Sequence, residues 1–260
     1  RSSAASDVYK RQVEVLCYNG DIEAMVDFMS DFKPDAVAHL AAAVITNPRS
    51  KDIKTIVRSN LEFGAELLEA MARCGVSAMV NTGTYWQNYN SKDYNPVDFY
   101  ASTKEAFEKI IQYYVDAKSF KVITLRLPDI YGEDDRRPKI WNKLRQCALT
   151  GETIDMSPGE QEIDLVHVDD VAEAYIIALK RLSYLDSVSQ TYSISSGHVR
   201  TLKQIVADFE AAIGKPINVI WGGKPYRERE VMRHTSALEP LPGWYCEKSK
   251  RMFANSNTQG

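Results

Sequence analysis

Residues 121–127 read KVITLRL, an apolar run rich in β-branched residues, and residues 77–83 read SAMVNTG, a second run of the same kind. Side chains that are apolar at nearly every position, rather than at alternate ones, suit a strand buried on both faces, as in a parallel sheet covered by helices. The segments around these two runs agree. Tyr100 to Ala117 is patterned as a helix. Ile53 to Cys74 predicts a longer one, with Ile56, Leu61, Leu67, Leu68 and Met71 near one stripe and Gly75 as its stop. Further back, AVAHLAAA (36–43) predicts a buried strand and the loop leaving it. DIEAMVDFMSDF predicts a helix with Ile22, Met25, Val26 and Met29 on one face, and VEVLCY (13–18) predicts another strand. Alternation of strand and helix specifies an α/β fold, a doubly wound parallel sheet.

After Tyr131 this rhythm loosens into a mixed region containing PKIWNKL, SPGEQ, GGKPYRERE and EPLPGW. The expected organisation is the parallel sheet over 13–132, with 165–182 returning to it, and a smaller substrate lobe over most of 133–260. Residues 1–12, RSSAASDVYKRQ, have neither helical nor strand periodicity and no apolar core of a signal peptide. They read as a tract foreign to the fold.

Composition narrows the function. The 260 residues are 44% apolar and 26% charged, which excludes a disordered chain, a collagen-like fibre or a bare coiled coil. A formal charge of -3 gives no global field for nucleic acid or an acidic membrane surface, and no apolar run reaches the ~18 residues that span a bilayer. Cys17, Cys74, Cys147 and Cys246 are scattered singly, without zinc or dithiol spacing, which fits a reducing cytoplasm and gives metal chemistry no support. From Arg200 onward ten Lys and Arg stand against six Asp and Glu, so either an anionic ligand or simply a solvated face belongs there.

Within YASTK, Tyr100 and Lys104 are four residues apart and share one helix face. A phenol normally ionises near ~10, and a neighbouring ammonium favours the phenolate, bringing proton exchange with a carbonyl or alcohol oxygen within reach. Such a pair alone is weak. Its context is stronger: Thr82 lies eighteen residues earlier, just after an apolar strand, at the carboxyl end where open parallel sheets bind ligands. A hydroxyl there either holds the same substrate oxygen or only caps a turn. Asp21 is placed to cap the following helix. His39 and His167 read as packed strand residues, with no carboxylate or cysteine cluster beside them.

Taken together, NGD (19–21), HLAAAV (39–44), NLEFGAELLEA from Asn60, NTGT, YASTK, LRLPDIYG (125–132) and LVHVDDVAEAY (165–175) resemble the extended short-chain dehydrogenases/reductases of the NAD-dependent epimerase/dehydratase family. Several blocks in one order make the likeness specific, and it runs from about Val13 to Trp244. NTGTYWQNYN, LRLPDIYGEDDRRPK and KPYREREVM followed by LPGW are similar to its CDP-abequose synthase-like branch, whose members reduce a 4-keto sugar on a nucleotide. The resemblance implies a Rossmann-like fold, NAD or NADP as cofactor, a nucleotide-sugar substrate and a cytoplasmic enzyme; the helices after Ile53 and Tyr100 resemble the family's dimer-forming pair, their apolar residues serving either a homodimer or the subunit's own core. It implies Tyr100 as acid/base, Lys104 as its partner and nicotinamide-ribose ligand, and Thr82 as orienting hydroxyl. Asp21 would approach the adenine, Ala41 and Ala42 would line the cofactor's path, and Asn60 would support the site from its helix. Thr84, Arg137, Lys139 and Arg227 would face the sugar nucleotide, Arg227 at its phosphates.

Two departures matter. No GxxGxxG or GxGxxG run exists to cradle a pyrophosphate at a helix N-terminus, and Val13 aligns with the family's third strand. Loss of the first two strands and the glycine loop is the expectation this raises, with weakened cofactor binding and reduced or absent activity in the chain as it stands. Second, the family's dehydratases follow the active-site Thr with Asp-Glu, whereas Thr82 is followed by Gly83 and Thr84. Dehydration ranks below ketoreduction, with 4-epimerisation as the alternative and a non-catalytic nucleotide-binding regulator as a third reading.

Overall fold

The computed structural model describes residues 13–90, 93–132, 135, 139–185, 189–234 and 237–249. A parallel four-stranded sheet holds β1 (Val37–His39), β2 (Ala78–Thr84), β3 (Lys121–Leu127) and β8 (Ser189–Ser193), in that order. The crossover after β1 is one continuous helical rod made of α2 (Ser50–Val57), a π turn (Arg58–Glu62) and α3 (Phe63–Arg73). It begins three residues before Ile53, where the Asp52 carboxylate accepts the Arg49 N–H at 2.9 Å. It ends at Gly75, whose φ of +72° is the left-handed turn a glycine takes without strain. The crossover after β2 is α4 (Phe99–Lys118), started by the Asp98 carboxylate accepting the Ala101 N–H at 2.8 Å.

The sheet is covered on both faces, as the apolar runs require. Met79 and Val122 face α1 (Ile22–Phe32), α3 and α4 in one buried cluster with Met25, Leu68, Met71 and Phe107. Val80, Ile123, Leu125 and Leu127 point the other way, into a cluster with Val171, Ala174 and Ala178 of α6 (Val168–Leu182) and with Trp244. Each fully buried aliphatic side chain contributes roughly 1.5–3 kcal/mol. Gly64 is where α3 meets α4: a Cβ there would lie 2.4 Å from the Phe107 ring.

The remaining elements are β4 (Asp129–Tyr131) paired with β7 (Leu165–His167), α5 (Ile140–Thr150), β5 (Ile154–Met156) paired with β10 (Val219–Trp221), β6 (Glu162–Ile163) paired with β9 (Arg200–Thr201), and α7 (Leu202–Ile213). Tyr131, Leu144, Leu165, Ile205 and Phe209 make a third buried cluster among them.

One expectation fails. Val13–Tyr18 is not a strand, and Val13 and Val15 are 58% and 75% exposed. A strand exists only by pairing, and among the described residues no ladder joins this segment to the outer edge of β1. Leu16 and Tyr18 instead pack against the α1–α3 side, where the Tyr18 hydroxyl donates to Glu66 at 2.6 Å.

Candidate active site

The carboxyl ends of the parallel strands open into a cavity of ≈ 390 Å³, within the size range of small-ligand sites. Tyr100 and Lys104 reach it from the first turns of α4, Thr82 and Thr84 from the end of β2, Ala42 from the loop after β1, and Lys139 from the start of α5. Six residues singled out in the sequence therefore share one wall. Four others do not. Asp21 caps α1, its carboxylate accepting the Glu23 N–H at 3.0 Å, and lies off the cavity. Ala41 is exposed and does not line it. Arg227 stacks on the rim, its guanidinium 5.1 Å from the centre of the Trp86 ring. Arg137 lies outside the described residues.

Lys104 is only 2% exposed. Burial pulls its pKa down to about 8, against the opposing pull of the Glu108 carboxylate one turn further on. It is in no hydrogen bond among the described residues, so its ammonium borders the cavity without an acceptor. Glu108 belongs to a buried network. Arg126 of β3 donates to Glu108 at 2.8 Å and stands 3.5 Å from Glu105, and Gln87 donates to Glu105 at 2.8 Å and to Glu108 at 3.1 Å. Gln87 also accepts the Thr84 N–H at 3.0 Å, which fixes the short turn Tyr85–Gln87 at the mouth of β2. Gly83 makes room for this network: a Cβ there would meet Arg126 Cδ at 2.8 Å.

Asn60 sits on the π turn, whose extra residue per turn often marks a functional position. Its amide donates to Thr103 Oγ1 at 2.9 Å and to the Ala43 carbonyl at 3.3 Å, and its oxygen accepts the Ala43 N–H at 2.7 Å. It ties the loop after β1 to the helix bearing Tyr100, a supporting position.

Thr82 Oγ1 is 2.6 Å from the His39 carbonyl and 2.5 Å from the Tyr175 hydroxyl. The His39 ring is buried, with Nδ1 3.4 Å from Asn81 Oδ1, and burial together with the Lys104 charge pushes its pKa down to about 4. His167 starts α6, its Nδ1 accepting the Asp169 N–H at 3.2 Å. Both histidines are packed, as read from the sequence.

The sequence reading missed several wall residues: Tyr175, Asp164, Glu162, Arg233 and His234. Tyr175 had a signal, since Val168, Val171 and Tyr175 recur at helical spacing and all three line the cavity. Arg233 and His234 had none, because they are delivered by a segment without periodicity. That segment is held by Glu162, which accepts the His234 N–H at 2.9 Å, and by the His234 ring against Tyr85 at 4.5 Å.

Comparison with known proteins accords with this fold. The model of the NAD dependent epimerase/dehydratase family matches residues 5–194. A CDP-abequose synthase from Yersinia pseudotuberculosis is 30% identical over 215 residues, 81% of this chain and 73% of that protein. A UDP-glucose 4-epimerase from Lacticaseibacillus casei is 28% identical, over 79% of this chain and 70% of its own. Among solved structures, the Thermus thermophilus UDP-glucose 4-epimerase in complex with NAD superposes with a TM-score of 0.72 at 24% identity, covering 94% of this chain and 89% of that one. MoeE5 in complex with UDP-glucuronic acid and NAD gives a TM-score of 0.76 at 22% identity, covering 88% and 80%. The chain belongs to the NAD-dependent epimerase/dehydratase family.

Proposed function

We propose that this family member reduces the keto group of a nucleotide-bound 4-keto sugar, using Tyr100, Lys104 and Thr82. The observation that carries the reading is their convergence on one cavity at the carboxyl ends of parallel strands. The likeness to CDP-abequose synthases supports the reductive direction, while the likeness to UDP-glucose 4-epimerases keeps 4-epimerisation as the second reading.

The residues present fit the nicotinamide-ribose end of the family's cofactor. Lys104 offers a buried ammonium with no acceptor among the described residues, and Leu40, Ala42 and Val44 give an apolar wall for a ring. When bound, a reduced nicotinamide supplies the hydride that the keto carbon requires. Lys104 would hold the ribose hydroxyls, and its charge one helical turn from Tyr100 favours movement of the phenolic proton. Tyr100 gives that proton to the sugar oxygen as its negative charge develops, and Thr82 fixes the same oxygen. Thr84, Arg137, Lys139 and Arg227 would bind the sugar nucleotide. Dehydration needs a carboxylate pair beside Thr82, and at Gly83 the Cβ direction is filled by Arg126.

A nicotinamide cofactor deuterated at the transferred position, supplied with a CDP-linked 4-keto sugar, tests the reading. One deuterium at C4 of the product per cofactor oxidised is the expected result. Turnover of UDP-glucose with no net cofactor oxidation would replace it with epimerisation.

A further inference from the structure

Thr82 has one hydroxyl proton and two neighbours. The His39 carbonyl can only accept, so the 2.6 Å contact uses the Thr82 proton. The 2.5 Å contact must then run the other way, with the Tyr175 phenol donating to Thr82 Oγ1. These three groups come from the last residue of β1, from β2 and from α6, and Thr82 and Tyr175 both line the cavity. Tyr175 is only 7% exposed, and Thr82 is the partner of its hydroxyl. Burial pushes its pKa up to about 12, so the phenol keeps its proton throughout the working range.

We propose that Tyr175 is a positioning residue for the reaction: by donating to Thr82 it occupies one lone pair and leaves a hydroxyl with one proton and one lone pair to direct. In one state the proton lies on the His39 carbonyl, and the lone pair accepts from an alcohol on the sugar. In the other the proton turns to a ketone oxygen, while Tyr175 continues to donate and strengthens the bond Thr82 makes. The pair thus accommodates both oxidation states of the reacting carbon without any backbone movement. The inference rests on the proposed role of Thr82, and the experiment separates the two.

The test is a double-variant cycle in the full-length protein, following cofactor oxidation with a CDP-linked 4-keto sugar. Tyr175→Phe removes one oxygen and is expected to lower kcat by ~10-fold with a smaller change in KM, and Thr82→Val by ~100-fold. The double variant is expected to match Thr82→Val alone, whereas in a Thr82→Ser background Tyr175→Phe should cost its full ~10-fold. Multiplicative losses in the double variant would overturn the proposal. Tyr100→Phe is run alongside: wild-type turnover in that variant would overturn the reading of the site itself. A second readout needs no turnover. In protein labelled with 13Cζ-tyrosine, the Tyr175 resonance, assigned by its loss in Tyr175→Phe, is expected to move in Thr82→Val and to stay in Thr82→Ser. An unmoved resonance in Thr82→Val would refute the hydrogen bond.

Discussion

Replacing Lys104 by methionine separates stability from function at this site. Methionine keeps the length of the side chain and removes the charge. In the folded protein burial holds the Lys104 pKa at about 8, against 10.5 for a free lysine side chain. The folded-state pKa is depressed, so at pH 7 the folded protein carries a proton on an amine that the unfolded chain holds more tightly. The cost of keeping Lys104 charged is therefore fully present below pH 8. It is relieved as pH rises through 8 towards 10.5, where the unfolded chain still binds the proton and the folded one has released it. The gap amounts to about 3 kcal/mol at pH 7, most of which is recovered by pH 10. Urea unfolding at pH 7 and pH 10 measures this directly. Lys104→Met is expected to be more stable than the parent by up to about 3 kcal/mol at pH 7. The advantage should shrink to under about 1 kcal/mol at pH 10, and the variant should have no measurable turnover. Taking the difference between the two proteins removes the groups remote from Lys104 that titrate in that range. A variant less stable than its parent at pH 7, or a gap that does not change with pH, would refute the reasoning.

Three further outcomes follow from named contacts. Tyr100→Phe is expected to lower turnover by at least ~100-fold while cofactor binding, read by quenching of tryptophan fluorescence, changes little. Asn60→Ala strips three hydrogen bonds from the loop after β1 and from α4. It should cost about 2–3 kcal/mol in urea unfolding and raise hydrogen exchange at Ala43. Gly64→Ala places a methyl group against the Phe107 ring at 2.4 Å. A loss of at least about 1–3 kcal/mol is expected, and Phe107→Leu in the same chain should restore part of it by making room.

Much of the fold was legible because its signals are local. KVITLRL forms β3 with the bounds read from the sequence, and SAMVNTG forms β2 shifted by one residue. The rod Ser50–Arg73 follows its apolar stripe, although periodicity could not reveal the π turn that brings Asn60 to Ala43 and Thr103. VEVLCY misled because composition reports what a strand prefers, whereas a strand also needs a partner, which lies elsewhere in the chain. At the site, Tyr100 and Lys104 were legible because one helix sets their spacing. Thr82 was found from its place at a strand end, but the direction of its proton depends on His39 and Tyr175, 43 and 93 residues away in sequence. The family resemblance implied Arg227 as a phosphate ligand, and the structure stacks it on Trp86 at the rim.

The account depends on the cavity above β2 and α4 being where the sugar reacts. A crystal structure of the protein with an oxidised nicotinamide cofactor and a CDP-linked sugar tests this most directly. The C4 oxygen is expected within ~3 Å of both the Tyr100 hydroxyl and Thr82 Oγ1. A sugar bound elsewhere, or a Tyr100 ring turned away from it, would contradict the account.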